Sequence, residues 1–398
     1  MEALLAVLRS GDMPEGARAA AFGAFSAAVV ICSATRCVRS GQCGVVALPV
    51  VLPLNAVRKV AMLAYGLMAM VVSSDKRYKL LGVSDAPHQA ERLLYRKRIV
   101  FIRHGESTWN QMWNKGFMPP GFLLRVGNGF LQEVLLFATR DSVLLDSGLN
   151  STGIAQARAL AEWVARPPAG LTARQLDAVK AVRGDADARS TVRCASNLRR
   201  AISTACLACP EATADAPLEV LSSMQEISVN IDTLALTPAR TDPLLASGTP
   251  MPKTWGHEDN TGNKALFGSG KGRLEEFVRW AMSRSEDVVV VGGHSLVFRE
   301  FFKAYLPASS DFIGKSTKVV NCGVVAFDLD MYSDGSARVE ESSIDVVYGG
   351  FEGGKKKKKK GGLKKALTAV AVSVVAGLAM RLALGPGPRA QYPLPFGM

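Results

Sequence analysis

Ile99-Val100-Phe101-Ile102-Arg103-His104-Gly105-Glu106 is the stretch that decides the fold: β-branched and aromatic residues run straight into an arginine, a histidine and a glycine. The apolar run reads as a buried strand. A strand that breaks at a glycine delivers its last side chains to the carboxyl edge of a sheet, where open α/β folds hold their ligands. The chain has only four histidines, so one at that edge is a candidate for chemistry. A free imidazole nitrogen near neutral pH is a good nucleophile toward phosphorus, and the adjacent guanidinium offers forked donors that match phosphate oxygens.

A second strand ends in the same way. Val288 to Val291 leads into Gly292-Gly293 and then His294, after a helix whose apolar stripe is Leu274, Phe277, Val278 and Ala281. Between the two histidines, Thr191 to Cys194 reads as a short strand feeding a helix from about Leu198 to Leu207. That places Ser196 and Arg200 near a helix N-terminus, where the dipole and free amides favour an anion. Asn150 and Ser151 read as N-cap residues of another helix, with Ile154, Ala157, Ala161 and Val164 on its apolar face and Pro167-Pro168 closing it. Two histidines at the ends of two strands, with helices between, imply adjacent strands of one sheet. The expected fold class is α/β, a three-layer α/β/α arrangement with a mostly parallel central sheet, plus hydrophobic N- and C-terminal extensions.

Five segments in order resemble one family. Phe101-Ile-Arg-His-Gly-Glu-Ser-Thr-Trp-Asn110 resembles the signature of the histidine phosphatase superfamily, in its phosphoglycerate mutase-like branch. Asp146 to Ala157 is similar to the segment that opens that family's first helix, Cys194 to Ala205 to its second-arginine motif, Met224-Gln-Glu226 to its general-acid segment, and Val288 to Ser295 to its second-histidine strand. The resemblance covers roughly residues 97–348. It implies a phosphohistidine mechanism in which His104 attacks phosphorus, Glu226 donates a proton to the leaving oxygen and then activates water, and His294, if cationic, stabilises charge. Arg103, Arg200 and Asn110 would bind the phosphate. Glu226 must be protonated for its first task, so burial or phosphate charge should raise its pKa. No metal and no cofactor is implied.

Departures from the branch bear on the substrate. Mutases of this kind continue from the first motif through a short, fairly fixed segment and carry Arg-x-Tyr-Gly soon after the glutamate. Here Gln111 to Leu145 forms an insertion, read equally well as a lid or a packed surface helix, and Ile227-Ser-Val-Asn-Ile-Asp232-Thr follows Glu226. A phosphomonoester hydrolase acting on a phosphorylated small molecule or phosphoprotein is therefore expected ahead of a phosphoglycerate or bisphosphoglycerate mutase. The reading from another class is an inactive, membrane-associated phosphate-binding scaffold.

Composition and charge divide the remainder. With 398 residues, 48% of them apolar, there is room for one large domain and its extensions. The net charge of +13 is concentrated at the ends: residues 355–398 carry ten Lys and Arg and no acid, and residues 1–74 carry six against three, leaving the centre neutral. A neutral centre argues against nucleic acid as a partner, and basic ends beside apolar stretches point to a membrane. The expected organisation is a hydrophobic membrane or targeting region over 1–74, a linker over 75–96, the catalytic domain over 97–348, a Gly/Lys-rich basic linker over 349–365 with Lys355 to Lys360, and an apolar segment over 366–398 that serves as an anchor. Within the first region, Ala19 to Thr35 and Gly44 to Ser74 read as a pair of short membrane segments, the second interrupted by Pro49 and Pro53. Seven cysteines, an odd number without a disulfide spacing, fit a reducing compartment such as cytoplasm or organelle stroma, and Cys206 and Cys209 read as small buried hydrophobes.

Overall fold

The computed structural model describes residues 44–353 apart from 81, 84–91, 117–119, 186–188, 244 and 246–248, together with 23, 26, 27, 29–35, 37 and 38. The Lys355 to Lys360 run, the apolar C-terminal segment and part of the first of the two N-terminal segments lie outside the described residues.

Seven strands make one sheet: β1 (Leu93–Arg103), β2 (Thr191–Ser196), β3 (Leu218–Leu221), β4 (Trp255–Gly256), β5 (Val288–Gly293), β6 (Val324–Tyr332) and β7 (Ala337–Tyr348). Their order is β4-β3-β2-β5-β1-β6-β7. From β4 through β1 every neighbour is parallel, and only the β6–β7 hairpin beside β1 is antiparallel. The sheet is mostly parallel, as expected, and the two strands that lead to histidines are adjacent, with Arg103 opposite Gly293 in the register.

Both faces of the central strands are buried, which is why β1 and β5 read as continuous apolar runs instead of alternating ones. Ile99, Phe101, Val289 and Val291 face a core completed by helices α8 (Gly270–Ser283) and α9 (Ser295–Tyr305). Phe101 stacks on Phe298 with ring centroids 4.0 Å apart and meets Phe327 edge-on at 4.9 Å. Val100, Ile102, Val288 and Val290 face the opposite core, completed by α4 (Ser151–Ala165), α5 (Ala173–Arg183), α6 (Arg199–Ala208) and α7 (Pro210–Asp215). The side chain of Asn150 caps α4 by accepting from Gly153 N at 2.8 Å. On that helix Leu160, not Ala161, is the buried position between Ala157 and Val164.

A third cluster lies to the side of the sheet. It joins α1 (Leu48–Val72), α2 (Thr108–Asn114), α3 (Gly121–Leu135) and the segments 143–145 and 231–236 through Leu63, Trp109, Trp113, Leu136, Leu145 and Ile231. The insertion after the first motif is thus a packed helix. The apolar stretch over 44–74 is one helix that runs through Pro53, because Pro49 falls in its first turn, where no amide hydrogen is needed, and Pro53 one turn later. Residues 75–96, expected as a linker, include Asp75, which is fully buried against Lys264 at 3.2 Å and Arg273 at 2.5 Å, and Leu93, which opens β1.

Close backbone approach fixes the loop after β1. A Cβ on Gly105 would lie 2.6 Å from the Gly153 carbonyl oxygen, and one on Gly153 would lie 2.1 Å from the Glu106 carbonyl oxygen. The His104 loop therefore rests directly on the first turn of α4. Gly153→Ala should destabilise the protein by about 1–3 kcal/mol in a urea melt, because only backbone could yield. Gly127→Ala, in α3 with nothing within 4 Å, should stabilise it by about 0.5–1 kcal/mol.

Candidate active site

The register of β1 and β5 sets His104 and His294 side by side, with ring centroids 5.1 Å apart. His104 N donates to Gly293 O at 3.0 Å, and its main-chain carbonyl accepts from Asn321 Nδ2 at 2.9 Å. The ring is equally held: Nδ1 lies 2.6 Å from the Gly105 carbonyl oxygen. A carbonyl can only accept, so the proton sits on Nδ1, and Nε2 keeps its lone pair. Burial first, then Arg200 and Arg103, hold the His104 pKa well below the ordinary range, which keeps the ring neutral.

His294 is fully buried, and its Nε2 is 2.8 Å from Ser196 Oγ at the end of β2. Leu198 N donates to that hydroxyl at 3.3 Å, and in the tautomer whose Nε2 accepts the hydroxyl proton the ring proton is on Nδ1. Burial, Arg200 and His104 depress the His294 pKa too, so without an anion beside it the ring is neutral.

Each arginine meets a carboxylate. Arg200, in the first turn of α6, donates from Nη1 to the Asp232 main-chain carbonyl at 2.8 Å and lies 3.5 Å from Asp232 Oδ2. Arg103 Nη1 donates to the Val319 carbonyl and pairs with Glu352 Oε1 at 2.9 Å. Nε of both arginines and Nδ1 of His294 are buried without a partner. An oxyanion with several acceptor oxygens is the chemistry that satisfies such a set of donors. Gly105 N completes the tie between the loop and α6 by donating to Thr204 Oγ1 at 3.0 Å, and Thr204 in turn donates to Arg200 O at 2.7 Å.

Glu226 is buried, with Oε1 accepting from Val297 N at 3.2 Å. Val297 lies in the first turn of α9, the helix for which His294 is the N-cap residue. Glu226 and His294 are therefore fixed at one helix start. Lys264, buried and with its pKa brought down to about 8 by desolvation, donates to Glu226 O at 2.6 Å and to Thr233 Oγ1 at 3.1 Å. Asn110 is only half-buried on α2, and its side-chain oxygen accepts from Asn114 Nδ2 at 2.8 Å along the helix. Of the six residues expected at the site, Arg103, His104, Arg200 and His294 converge, Glu226 shares the start of α9, and Asn110 is turned to its own helix.

Asp232, Glu352, Ser196 as the partner of His294, and Lys264 were not singled out for these contacts from the sequence. Asp232 and Glu352 meet their arginines across 32 and 249 residues of chain, separations no local pattern records. Their only signal is acidic character within apolar or glycine-rich surroundings. Cys206 and Cys209 are buried, with both thiols pushed up to about 12, so they behave as small hydrophobes. Among the described residues no three His, Cys, Asp or Glu side chains converge as a metal-ligand set.

Residues 139–341 match the sequence model of the histidine phosphatase superfamily (branch 1). The matched span holds Arg200, Glu226 and His294 and begins after Arg103 and His104, which the fold returns to it through β1. No curated protein matches the chain. Among solved structures, the chain is similar to mycobacterial hydrolase 1, at 17% identity over 65% of this chain and 100% of that one, with a TM-score of 0.34. It is also similar to the mycobacterial glucosyl-3-phosphoglycerate phosphatase, at 16% identity over 63% and 97% of the two chains, with a TM-score of 0.34. The phosphoglycerate mutase of Thermus thermophilus shares 17% identity over 61% and 95%, with a TM-score of 0.25.

Asp232 generates a pH prediction. Burial, with Glu226 nearby, raises its carboxyl from the ordinary 3.8 to about 6 against the opposing pull of Arg200. A carboxyl raised in the folded state gives stability that is present below about pH 4 and lost as pH rises through about 6. Asp232→Asn, which keeps the shape and removes the charge, should raise the melting temperature at pH 8 and leave it little changed at pH 4; equal effects at the two pH values would contradict the assignment.

Proposed function

The chain belongs to the histidine phosphatase superfamily, branch 1, and from that premise we propose that it is a phosphomonoester hydrolase working through a phosphohistidine on His104, without a metal ion. The observation that carries this reading is the neutral His104 ring, its proton pinned on Nδ1 by the Gly105 carbonyl and its Nε2 free, beside two arginines with buried, unpartnered Nε atoms.

In the first step, Nε2 attacks phosphorus in line, the N–P bond forms and the ester P–O bond breaks. Arg103, Arg200 and the Nδ1 proton of His294 hold the non-bridging oxygens, so the charge of the transferring group is met by donors already in place. The arriving phosphate brings negative charge to a site crowded with cations and offsets the depression of the His294 pKa. A protonated Glu226 donates to the leaving oxygen. Ionised, it takes a proton from the water that then attacks phosphorus, breaking the N–P bond and releasing inorganic phosphate and the neutral imidazole. Asp232 and Glu352 satisfy the arginines until phosphate displaces them. Asn110 and the Gln111 to Leu145 insertion border the first motif and would bear on which ester fits.

The test is phosphate release from a panel of phosphomonoesters with no added metal. His104→Ala should lower turnover by about 10³-fold or more. Glu226→Gln should lower kcat/KM by about 10²-fold on alkyl phosphates and far less on p-nitrophenyl phosphate, whose leaving group needs no proton. Phosphate exchange between 2- and 3-phosphoglycerate without net hydrolysis would establish a mutase instead, and binding of phosphate with no turnover of any ester would establish a scaffold. For the wild type, the acid limb of kcat/KM should lie below pH 6.5, because His104 stays neutral until then.

Glu352→Gln should tighten competitive inhibition by inorganic phosphate about two- to fivefold by freeing Arg103, read from the inhibition constant at pH 7. An unchanged constant would mean that Glu352 does not compete.

A further inference from the structure

Helix α1 has two faces of opposite character. Asn55, Lys59, Leu63, Gly66 and Ala69 are buried against the catalytic domain. That face is pinned by polar contacts: Lys59 pairs with buried Glu133 at 3.1 Å and donates to Leu136 O at 2.7 Å, Asn55 donates to Ala138 O at 3.2 Å, and Arg58 donates to Leu236 O. At Gly66 a Cβ would lie 2.7 Å from Ile231 Cγ2, so the helix lies directly on the segment that carries Asp232. The opposite face is apolar from end to end: Val50 is 63% exposed, Leu54 63%, Val57 68%, Met68 50% and Val71 76%, with Val46 95% exposed in the turn just ahead. The only charged residues between Gly44 and Ser74 are Arg58 and Lys59, and both turn inward.

We propose that α1 lies flat on an anionic lipid surface, its outer stripe sunk among the acyl chains while its inner face stays bolted to the catalytic domain. Helix Val45–Val72 has the length and the mean hydropathy, 1.6, to cross a bilayer. Spanning would strip Lys59 and Asn55 of their partners at mid-helix and leave Glu133 buried without its cation. A flat helix keeps every one of these contacts and still covers the stripe.

Two observations favour lipid over other occupants. The outer stripe runs without a charge along the 25 residues of α1, about 38 Å, which is the form of a helix sunk lengthwise in a lipid surface. The chain's net positive charge lies outside residues 75–354, with Arg36 and Arg39 just ahead of α1 and ten Lys and Arg without an acid over 355–398, which complements anionic headgroups and would repel a second copy.

The test uses the full chain and vesicles of phosphatidylcholine with or without phosphatidylserine. A benzophenone side chain placed at Val57 should form lipid adducts on illumination, and one placed at Met62, on the domain side, should crosslink only within the protein. In flotation, Leu54→Glu combined with Val57→Glu should lower binding to the phosphatidylserine vesicles by about tenfold or more, with the melting temperature in solution unchanged because both positions are exposed. Lipid adducts at both positions would mean a spanning helix and overturn the proposal. Crosslinks from Val57 to the C-terminal segment or to a second copy, or undiminished flotation of the double variant, would overturn it as well.

Discussion

The parallel pairing of β1 with β5 is the constraint on which the rest depends. Because Arg103 lies opposite Gly293, the chain leaves both strands at the same level and the two histidines emerge together. Everything near them serves to hold that exit in place. Gly105 and Gly153 let the first loop sit on α4, Thr204 ties it to α6, and Asn321 fixes the His104 carbonyl. The apolar layers on both faces of the sheet make the strands rigid, so the geometry at their ends costs little further ordering when a ligand arrives.

Charge is the second organising factor. Arg103 and Arg200 flank two imidazoles in a site nearly shut off from water, where Glu352, Asp232 and main-chain carbonyls face the guanidinium groups. Burial, aided by the arginines' charge, lowers both histidine pKa values, and burial raises that of Asp232 against the pull of Arg200. One network, Asp75 with Lys264 and Arg273, reaches from the chain ahead of β1 to the carbonyl of Glu226 and the hydroxyl of Thr233. Helix α1 lies on the far side of that same 231–236 segment, so the region that the sequence sets apart as hydrophobic contributes directly to the wall behind Asp232.

Much of this is legible in the sequence where the signal is local. Buried strands ending in glycine, the Asn150 cap and the stripe of α8 each declare themselves within about a dozen residues, and the sheet with helices on both faces follows from their order. The positions of Arg103, His104, Arg200 and His294 are legible for the same reason. Contacts made across the fold are not. Nothing near Lys59 announces Glu133, nothing near Arg103 announces Glu352, and Asp232 reads as an ordinary acidic residue until Arg200 is beside it. Pro53 looks like a break in an apolar segment, yet one continuous helix forms, because its position close to the helix start and the packing of Leu63 and Gly66 outweigh a single lost amide.

Rapid quenching of the wild-type enzyme during turnover of a phosphomonoester, followed by mapping of the covalent phosphate, tests the central claim most directly. A phosphohistidine mechanism requires a label that is labile in acid, stable in alkali and located on His104, formed and lost at rates no slower than turnover. Label on Asp232, Glu226 or a serine, or steady turnover with no covalent phosphate at any quench time, would contradict it.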